Sequence, residues 1–296
     1  MKTGFVSILG RPNAGKSTLL NALLGQKLAI VTSKPQTTRT SIQGVVTAGD
    51  YQIVFMDTPG IHRSNTLMNK RMMDTVRASA EADVVLYLID VLDPLREEDS
   101  EAIDLVKKLK APAIAVLNKV DKLTDKTKLL ALIEQIRTFH EFAEFVPLSA
   151  MKGTGVDTLL KEIVKRLPEG EKTYAEDYLT DQPSRFLAAE ILREKILHHT
   201  SQEVPHAVAV MVDTWVDTPK VLKIAATIYV EKAGQKAIII GAGGESLKRI
   251  GSLARFEMEK TFERKIFLQT FVKVKPNWRQ DPEFLQSIDW RHMIGQ

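Results

Sequence analysis

Gly10-Arg11-Pro12-Asn13-Ala14-Gly15-Lys16-Ser17 lies between the apolar run Phe5-Val6-Ser7-Ile8-Leu9 and the helix-forming stretch Thr18-Leu19-Leu20-Asn21-Ala22-Leu23-Leu24. Those flanks place the octet on a strand-to-helix turn, where its G-x-x-x-x-G-K-S spacing has a physical meaning. Two glycines let the backbone curl until successive N–H groups face one anion, and the helix opening at Lys16 adds the positive end of its dipole. The octet, with Thr18 behind it, reads as a phosphate cradle. Lys16 would reach the β- and γ-phosphates of a nucleoside triphosphate, and the Ser17 hydroxyl would join the shell of a Mg²⁺ ion. A glycine-containing turn before an ordinary helix is the competing reading.

Outward from the octet, residues 1–168 alternate buried-type apolar runs with amphipathic helical patterns. The runs are 5–9, 51–56, 84–90, 112–117 and 145–148. Such alternation predicts an α/β domain with a mainly parallel sheet and helices on both faces. One strand is expected to run the other way, because Ile42 to Thr47 meets strand 51–56 across the short turn Ala48-Gly49-Asp50. Residues 169–183 mix Pro, Gly and charge without apolar periodicity and read as a linker. A second, smaller α+β domain is expected over 184–296, with a helix near Ser184 to His198, strands near 206–216 and 221–231, a helix near Glu245 to Thr261 and a strand near Ile266 to Val274.

In an open α/β sheet ligands bind at the carboxyl ends of the strands, and each remaining motif falls on one. Asp57-Thr58-Pro59-Gly60 follows strand 51–56, where Asp57 can hold Mg²⁺ through a water and the Gly60 N–H can touch a γ-phosphate. Asn118-Lys119-Val120-Asp121 follows strand 112–117. The Asp121 carboxylate can accept two hydrogen bonds from a guanine N1–H and 2-amino group, which adenine does not offer, so it selects guanine and disfavours an ATP-using kinase. Asn118 and the Lys119 stem would brace that base, and Ser149-Ala150-Met151 would bring a backbone N–H to its oxygen. Pro35-Gln36-Thr37-Thr38-Arg39-Thr40 can close over the γ-phosphate, with Thr38 as the expected Mg²⁺ ligand and Thr37 as the alternative. A loop held only by that phosphate and its metal is a two-state switch, and Gly60 to about Arg77 would be its second moving part.

Composition closes several other routes. With 296 residues, 44% hydrophobic and 26% charged, the chain suits about two soluble domains. It has no cysteine, which excludes disulfides and thiolate ligands, and its six histidines lack metal-ligand spacing, so any metal is expected on oxygen. No apolar run nears the roughly 18 to 20 residues of a membrane span, and a cytoplasmic location is expected. The net charge of +4 is small but uneven. From Lys232 to Arg279 eleven Lys or Arg face four acids, an excess of seven, while the remainder is slightly acidic.

With the four motifs in this order, residues 1–168 resemble translation-factor-type GTPases. The combination of Gly10-Arg11-Pro12-Asn13, Gln36-Thr37-Thr38-Arg39 and Asp57-Thr58-Pro59-Gly60-Ile61-His62 with a second domain resembles the Era family, over essentially the whole chain. That resemblance implies a P-loop GTPase domain followed by a type II KH domain. The KH signature I-I-G-x-x-G is matched by Ile239-Ile240-Gly241-Ala242-Gly243-Gly244, with Lys248 and Arg249 just beyond. β-propensity alone would make Ala237 to Ile240 a strand; the family places a short helix there, and the helix is adopted. Such a loop lets glycine backbone approach the sugar-phosphate chain of about four unpaired nucleotides. The resemblance further implies GTP and GDP as ligands and slow hydrolysis, with Lys16, Thr38, Gly60 and Asn13 as the catalytic set. Ile61 stands where many signalling GTPases have a water-orienting glutamine, and a K⁺ ion held through Asn13 is implied in place of an arginine finger. His62 could help place water or be a plain surface histidine. The implied partners are the 3′ end of small-subunit ribosomal RNA and the assembling small subunit, with a monomer expected and peripheral association at the inner face of the cell membrane open. A nucleotide-gated binding module at that membrane, with turnover incidental, is the alternative function. Trp278 and Trp290 could stack on bases, although packing is the more ordinary role for them.

Overall fold

The computed structural model describes residues 1–34, 37–58, 82–93, 103–104, 106–108, 110–125, 127–201 and 204–290. Two compact units divide the chain, the second taking over at Gln182.

The first unit is built on six strands: β1 (Lys2–Gly10), β2 (Ile42–Ala48), β3 (Tyr51–Asp57), β4 (Val84–Asp90), β5 (Ala113–Asn118) and β6 (Glu144–Leu148). They lie in the order β2-β3-β1-β4-β5-β6, all parallel except the β2–β3 hairpin. Unbroken apolar runs such as Val84 to Ile89 form strands here because both faces of the sheet are covered. Alternate residues accordingly enter two separate cores. Ile8, Phe55, Leu86, Leu88 and Val116 pack with α1 (Lys16–Leu24) and α3 (Val156–Arg166), whose Leu19, Leu20, Leu159 and Ile163 are fully buried. Leu9, Val85, Tyr87, Ala115 and Leu117 pack on the other side with Ile136 of α2 (Thr127–Arg137) and Phe142. Burial on this scale, at about 25 cal/mol per Å² of apolar surface, fixes the register that delivers each strand's last residue to one edge. Gly10, Asp57, Asp90, Asn118 and Leu148 all stand at that carboxyl edge.

Residues 169–181 are more than a tether. The Val45 N–H of β2 donates to the Leu179 carbonyl at 2.8 Å, and the Thr180 hydroxyl donates to the Gln43 carbonyl at 2.7 Å. Gln52, fully buried within β3, does most of the fastening. Its Oε1 accepts from the Thr173 and Tyr174 amides at 2.8 and 2.9 Å, and its Nε2 donates to the Tyr174 carbonyl at 2.9 Å. Tyr174 stacks on Tyr178 and its hydroxyl accepts from Gln43 at 2.8 Å. The composition reads as a linker because the strap is held by scattered polar contacts to Gln43, Val45 and Gln52, not by an apolar face of its own.

The second unit has α4 (Ser184–His199), the short α5 (Val204–Ala207), β7 (Ala209–Asp217), β8 (Leu222–Val230), α6 (Ala233–Ile240), α7 (Glu245–Phe262), β9 (Ile266–Val274) and α8 (Pro282–Ser287). β8 is central, antiparallel to β7 and parallel to β9. The strand expected from 206 begins at Ala209, because Val204–Ala207 folds as a helical turn with Val204 and Ala207 buried. Ala237 to Ile240 is helical against its β-propensity. Gln235 Oε1 accepts from the Glu231 and Lys232 amides and so caps the start of α6, while Gly241, at φ 72°, ends it. Trp278 is fully buried and donates from Nε1 to the Ala207 carbonyl at 2.9 Å, and Trp290 is buried beside Phe186. Both indoles are packing residues.

Gln52→Leu keeps the volume but strands the Thr173 and Tyr174 amides, a cost on the order of 2–3 kcal/mol. Limited proteolysis should then cut first within 173–181, at rates well above wild type; an unchanged cleavage pattern would refute the fastening role.

Candidate functional site

Gly15 caps α1 with φ 100°, a left-handed conformation that a side chain resists, and a Cβ there would collide with Asn118 Nδ2. Backbone approach therefore replaces side-chain capping, which leaves the first amides of α1 facing the cradle. Asn13 also has positive φ, at 63°, and its Nδ2 donates to the Ser33 carbonyl at 3.0 Å. Pro12, Asn13, Gly15 to Thr18, Thr37, Thr38, Lys119 and Met151 border one cleft of about 320 Å³, so three of the motifs share a single space.

Lys16 is buried at its floor, donating from Nζ to the Gly10 and Arg11 carbonyls at 3.0 and 2.9 Å. Burial lowers its pKa to about 8, with Asp57 opposing the fall. Asp57 is pushed up to about 6 by burial, against the pull of Lys16, the Ser17 and Thr38 hydroxyls and the Thr58 amide. Ser17 Oγ donates to Asp57 Oδ2 at 2.7 Å, the Thr38 hydroxyl donates to the same oxygen at 3.3 Å, and the two hydroxyls lie 2.8 Å apart. Asp57 Oδ1 has no hydrogen-bond partner among the described residues although it is buried. Two hydroxyls beside a carboxylate whose second oxygen lacks a donor make an oxygen-rich set that suits a hard divalent cation such as Mg²⁺. Thr38 sits in this cluster. Thr37 does not: its hydroxyl donates to the Lys34 carbonyl at 2.7 Å and lies 2.8 Å from that of Thr32. Thr58 is used structurally, its hydroxyl donating to the Ile8 carbonyl at 2.8 Å. Pro59, Gly60, Ile61 and His62 lie outside the described residues.

The base end is assembled around Asn118. Its Nδ2 donates to the Ala14 carbonyl at 2.8 Å, and its Oδ1 accepts from the Lys119 amide at 2.8 Å and the Ala150 amide at 3.0 Å. Lys119, at φ 71°, turns back so that Nζ donates to the Asn13 carbonyl at 2.8 Å. Asp121 is exposed, and the Ser149 hydroxyl is the main cause holding its carboxyl below the usual range. Ser149 and Ala150 are buried, whereas Met151 is 70% exposed at the rim. Three features escaped the sequence reading. Asp90 pairs with Lys119, Asp93 pairs with Arg11, and the Asn21 side chain holds the Leu28 and Ala29 amides. A carboxylate ending the apolar run 84–90 was the one visible signal for Asp90.

In the second unit Gly241, Gly243 and Gly244 all have positive φ, at 72°, 57° and 82°. Their turn joins α6 to α7, and a Cβ on Gly243 or Gly244 would meet nothing within 4 Å. Ala242, Lys248 and Arg249 are exposed beside it, and Ile238 is 55% exposed on α6.

A family model described as 50S ribosome-binding GTPase matches residues 5–119, and a KH-domain model matches 203–279. The GTPase Era of Ruminiclostridium cellulolyticum is 44% identical, with 98% of each chain covered. That of Geobacter metallireducens is 46% identical over the same shares. The chain belongs to the Era family of GTPases. It is a GTPase, and its fold is the Era fold. A single-residue variant of Aquifex aeolicus Era bound to GDP·AlF₄⁻ superposes with a TM-score of 0.95 at 42% identity, covering 98% of this chain and 99% of that one. An Era in complex with MgGDPNP and nucleotides 1506–1542 of 16S ribosomal RNA gives the same score, identity and coverage. Among the described residues no helix is long and apolar enough to cross a membrane.

A cation held beside Asp57 would compete with a proton there. Since burial raises this carboxyl to about 6, divalent-cation affinity should fall as pH drops through 6, by up to about tenfold per unit below it. Titration of the metal at several pH values checks this, and an affinity flat down to about pH 5 would contradict it.

Proposed function

We propose that this Era-family chain is an RNA-regulated switch that binds and hydrolyses GTP and grips the single-stranded 3′ end of small-subunit ribosomal RNA through its KH loop, assisting small-subunit assembly. One observation carries the reading. A relative solved with both MgGDPNP and a 16S RNA segment matches this chain over 98% of its length, and the clustered side chains here suit those two ligands.

At the nucleotide end, Lys16 and the amides opening α1 offer positive charge to the β- and γ-phosphates. Ser17 and Thr38 would hold Mg²⁺ directly and Asp57 through a water. The metal's chemistry is to neutralise charge on the phosphate oxygens. Thr38 can serve only while its segment stays closed on the cleft, which makes it the switch ligand, and Gly60 would sense the γ-phosphate. Asn13, with its side chain at the cleft and bonded to the Ser33 carbonyl, would hold K⁺ through its amide oxygen. The chain has no glutamine after Gly60 to orient water, so slow turnover through electrostatic preorganisation follows. Asp121, kept ionised by Ser149, would read guanine, with Asn118 and Lys119 bracing it and the Ala150 amide beside its oxygen.

At the RNA end, Ile240 to Gly244 would let backbone approach sugar and phosphate. Ala242 and Gly243 bring no charge, so Lys248 and Arg249 would supply it from the first turns of α7. Binding of that kind weakens steeply with salt.

Two experiments test the reading. Replacing Asp121 by Ala should cost at least tenfold in GDP affinity and remove the preference over ADP, because a guanine N1–H and amino group would go unpaired; a retained preference defeats the guanine assignment. Gly243→Asp, placed at a φ that Asp tolerates and in open space, puts an anion where phosphate should lie. It should weaken binding of a short single-stranded rRNA 3′ end by more than tenfold without changing GDP affinity, and equal RNA binding would rule out the loop.

A further inference from the structure

The end of β4 and the turn after it have no part in the mechanism above, yet each carries an acid linked to the phosphate loop, Asp93 through Arg11 and Asp90 through Lys119. Asp90 stands opposite Asn118 in the β4–β5 register, and the Val91 amide donates to the Asn118 carbonyl at 3.1 Å. Asp90 Oδ1 accepts from the Leu92 amide at 3.0 Å, which fixes the carboxylate's direction. Its Oδ2 lies 2.5 Å from Lys119 Nζ, the same ammonium that donates to the Asn13 carbonyl. Three residues on, Asp93 Oδ2 accepts from Arg11 at 2.7 Å.

A lysine ammonium on a flexible four-carbon stem has much rotamer entropy to lose when it is held in one place. A neutral carbonyl alone is a modest anchor, whereas a carboxylate makes a charge-assisted bond about twice as strong. Both Lys119 and Asp90 side chains are about three-quarters buried, at 26% and 21% exposure, so water screens the pair less than it would at the surface. The Asp90 bond therefore meets the ordering cost before any ligand arrives, which is preorganisation.

We propose that Asp90 is a positioning residue for nucleotide binding, holding Lys119 against the Asn13 carbonyl so that its stem is set across the guanine face, while Asp93 holds Arg11 from the same turn. This rests on reading Asn118-Lys119-Val120-Asp121 as the base-recognition loop. Because Asp90 acts at the base end, it contributes equally to GTP and GDP.

The test measures dissociation constants of the full chain for GDP and for a non-hydrolysable GTP analogue. Asp90→Asn keeps the shape and the Leu92 contact but removes the charge. Both constants should rise by the same factor, about five- to twentyfold, and the effect should shrink below twofold in a Lys119→Met background. Should Asp90→Asn not fold, Asp90→Ser, whose hydroxyl still accepts from Leu92, carries the same cycle. An affinity within twofold of wild type, unequal factors for the two nucleotides, or a full penalty persisting without Lys119 would each overturn the proposal. The Asp121→Ala measurement judges the base-recognition reading separately, so failure of one is told apart from failure of the other.

Discussion

One buried amide holds the nucleotide end of the molecule together. Asn118 bonds the phosphate loop at the Ala14 carbonyl, its own loop at the Lys119 amide and the following loop at the Ala150 amide. Three segments far apart in sequence thus share one donor-acceptor group in a place with no water to replace it. A lost hydrogen bond at a surface costs little, but a buried group left unpaired carries its full desolvation penalty, about 1–3 kcal/mol each. The constraint reaches into backbone chemistry as well. Asn118 occupies the space that a side chain at position 15 would need, so the glycine of the phosphate loop is required by its neighbour as much as by its own φ. Phosphate loop and Asn118 loop are consequently tied to each other, and their spacing is set by the β1–β4–β5 register rather than by loop length.

The metal cluster is organised on the opposite principle. Ser17 and Asp57 come from a helix start and a strand end, both fixed by the core, while Thr38 arrives on a segment anchored four residues before β2 begins at Ile42. Burial keeps the Asp57 carboxyl near 6 and leaves one oxygen without a donor among the described residues. Such a site is costly to keep charged and gains from a cation. On the proposed reading, the free energy of binding there would hold Thr38 in place and would disappear with the cation and phosphate. β2, the sheet's edge strand, continues directly from that segment and carries the 169–181 strap along it through Gln43 and Val45. A local change at Thr38 therefore has a hydrogen-bonded route along β2 to the strap.

The fold and the nucleotide motifs were legible because each motif sits where a strong apolar run stops, and strand ends are what such runs mark best. Sequence ranks Thr38 ahead of Thr37 without a contact to separate two threonines in a polar stretch; the hydrogen bonds of Thr38 to Asp57 and of Thr37 to Lys34 set them apart. The strap was illegible for a related reason. Many of its holding groups are backbone amides and carbonyls, which have no sequence signature, and the visible clue was a glutamine inside the apolar strand Tyr51-Gln52-Ile53-Val54-Phe55. Ala237 to Ile240 misleads on propensity because three isoleucines favour strand, yet only Ile239 among them is buried. Capping by Gln235 and termination at Gly241 outweigh a preference worth a few tenths of a kcal/mol per residue.

The KH loop also explains how charge is apportioned. A basic residue between Gly241 and Gly244 would meet phosphate at the closest point but would occupy the space through which backbone approaches. Ala242 and Gly243 keep that approach open, and the cost is moved to Lys248 and Arg249, one turn into α7 and exposed. Their charges act over a Debye length of about 8–10 Å and need no fixed geometry, so they favour any polyanion. In the proposed complex the loop and the half-exposed Ile238 beside it would favour an unpaired, flexible strand whose bases can leave the stack. On the proposed reading, attraction and discrimination fall to different residues: long-range charge would draw in nucleic acid and close backbone contact would choose its single-stranded form.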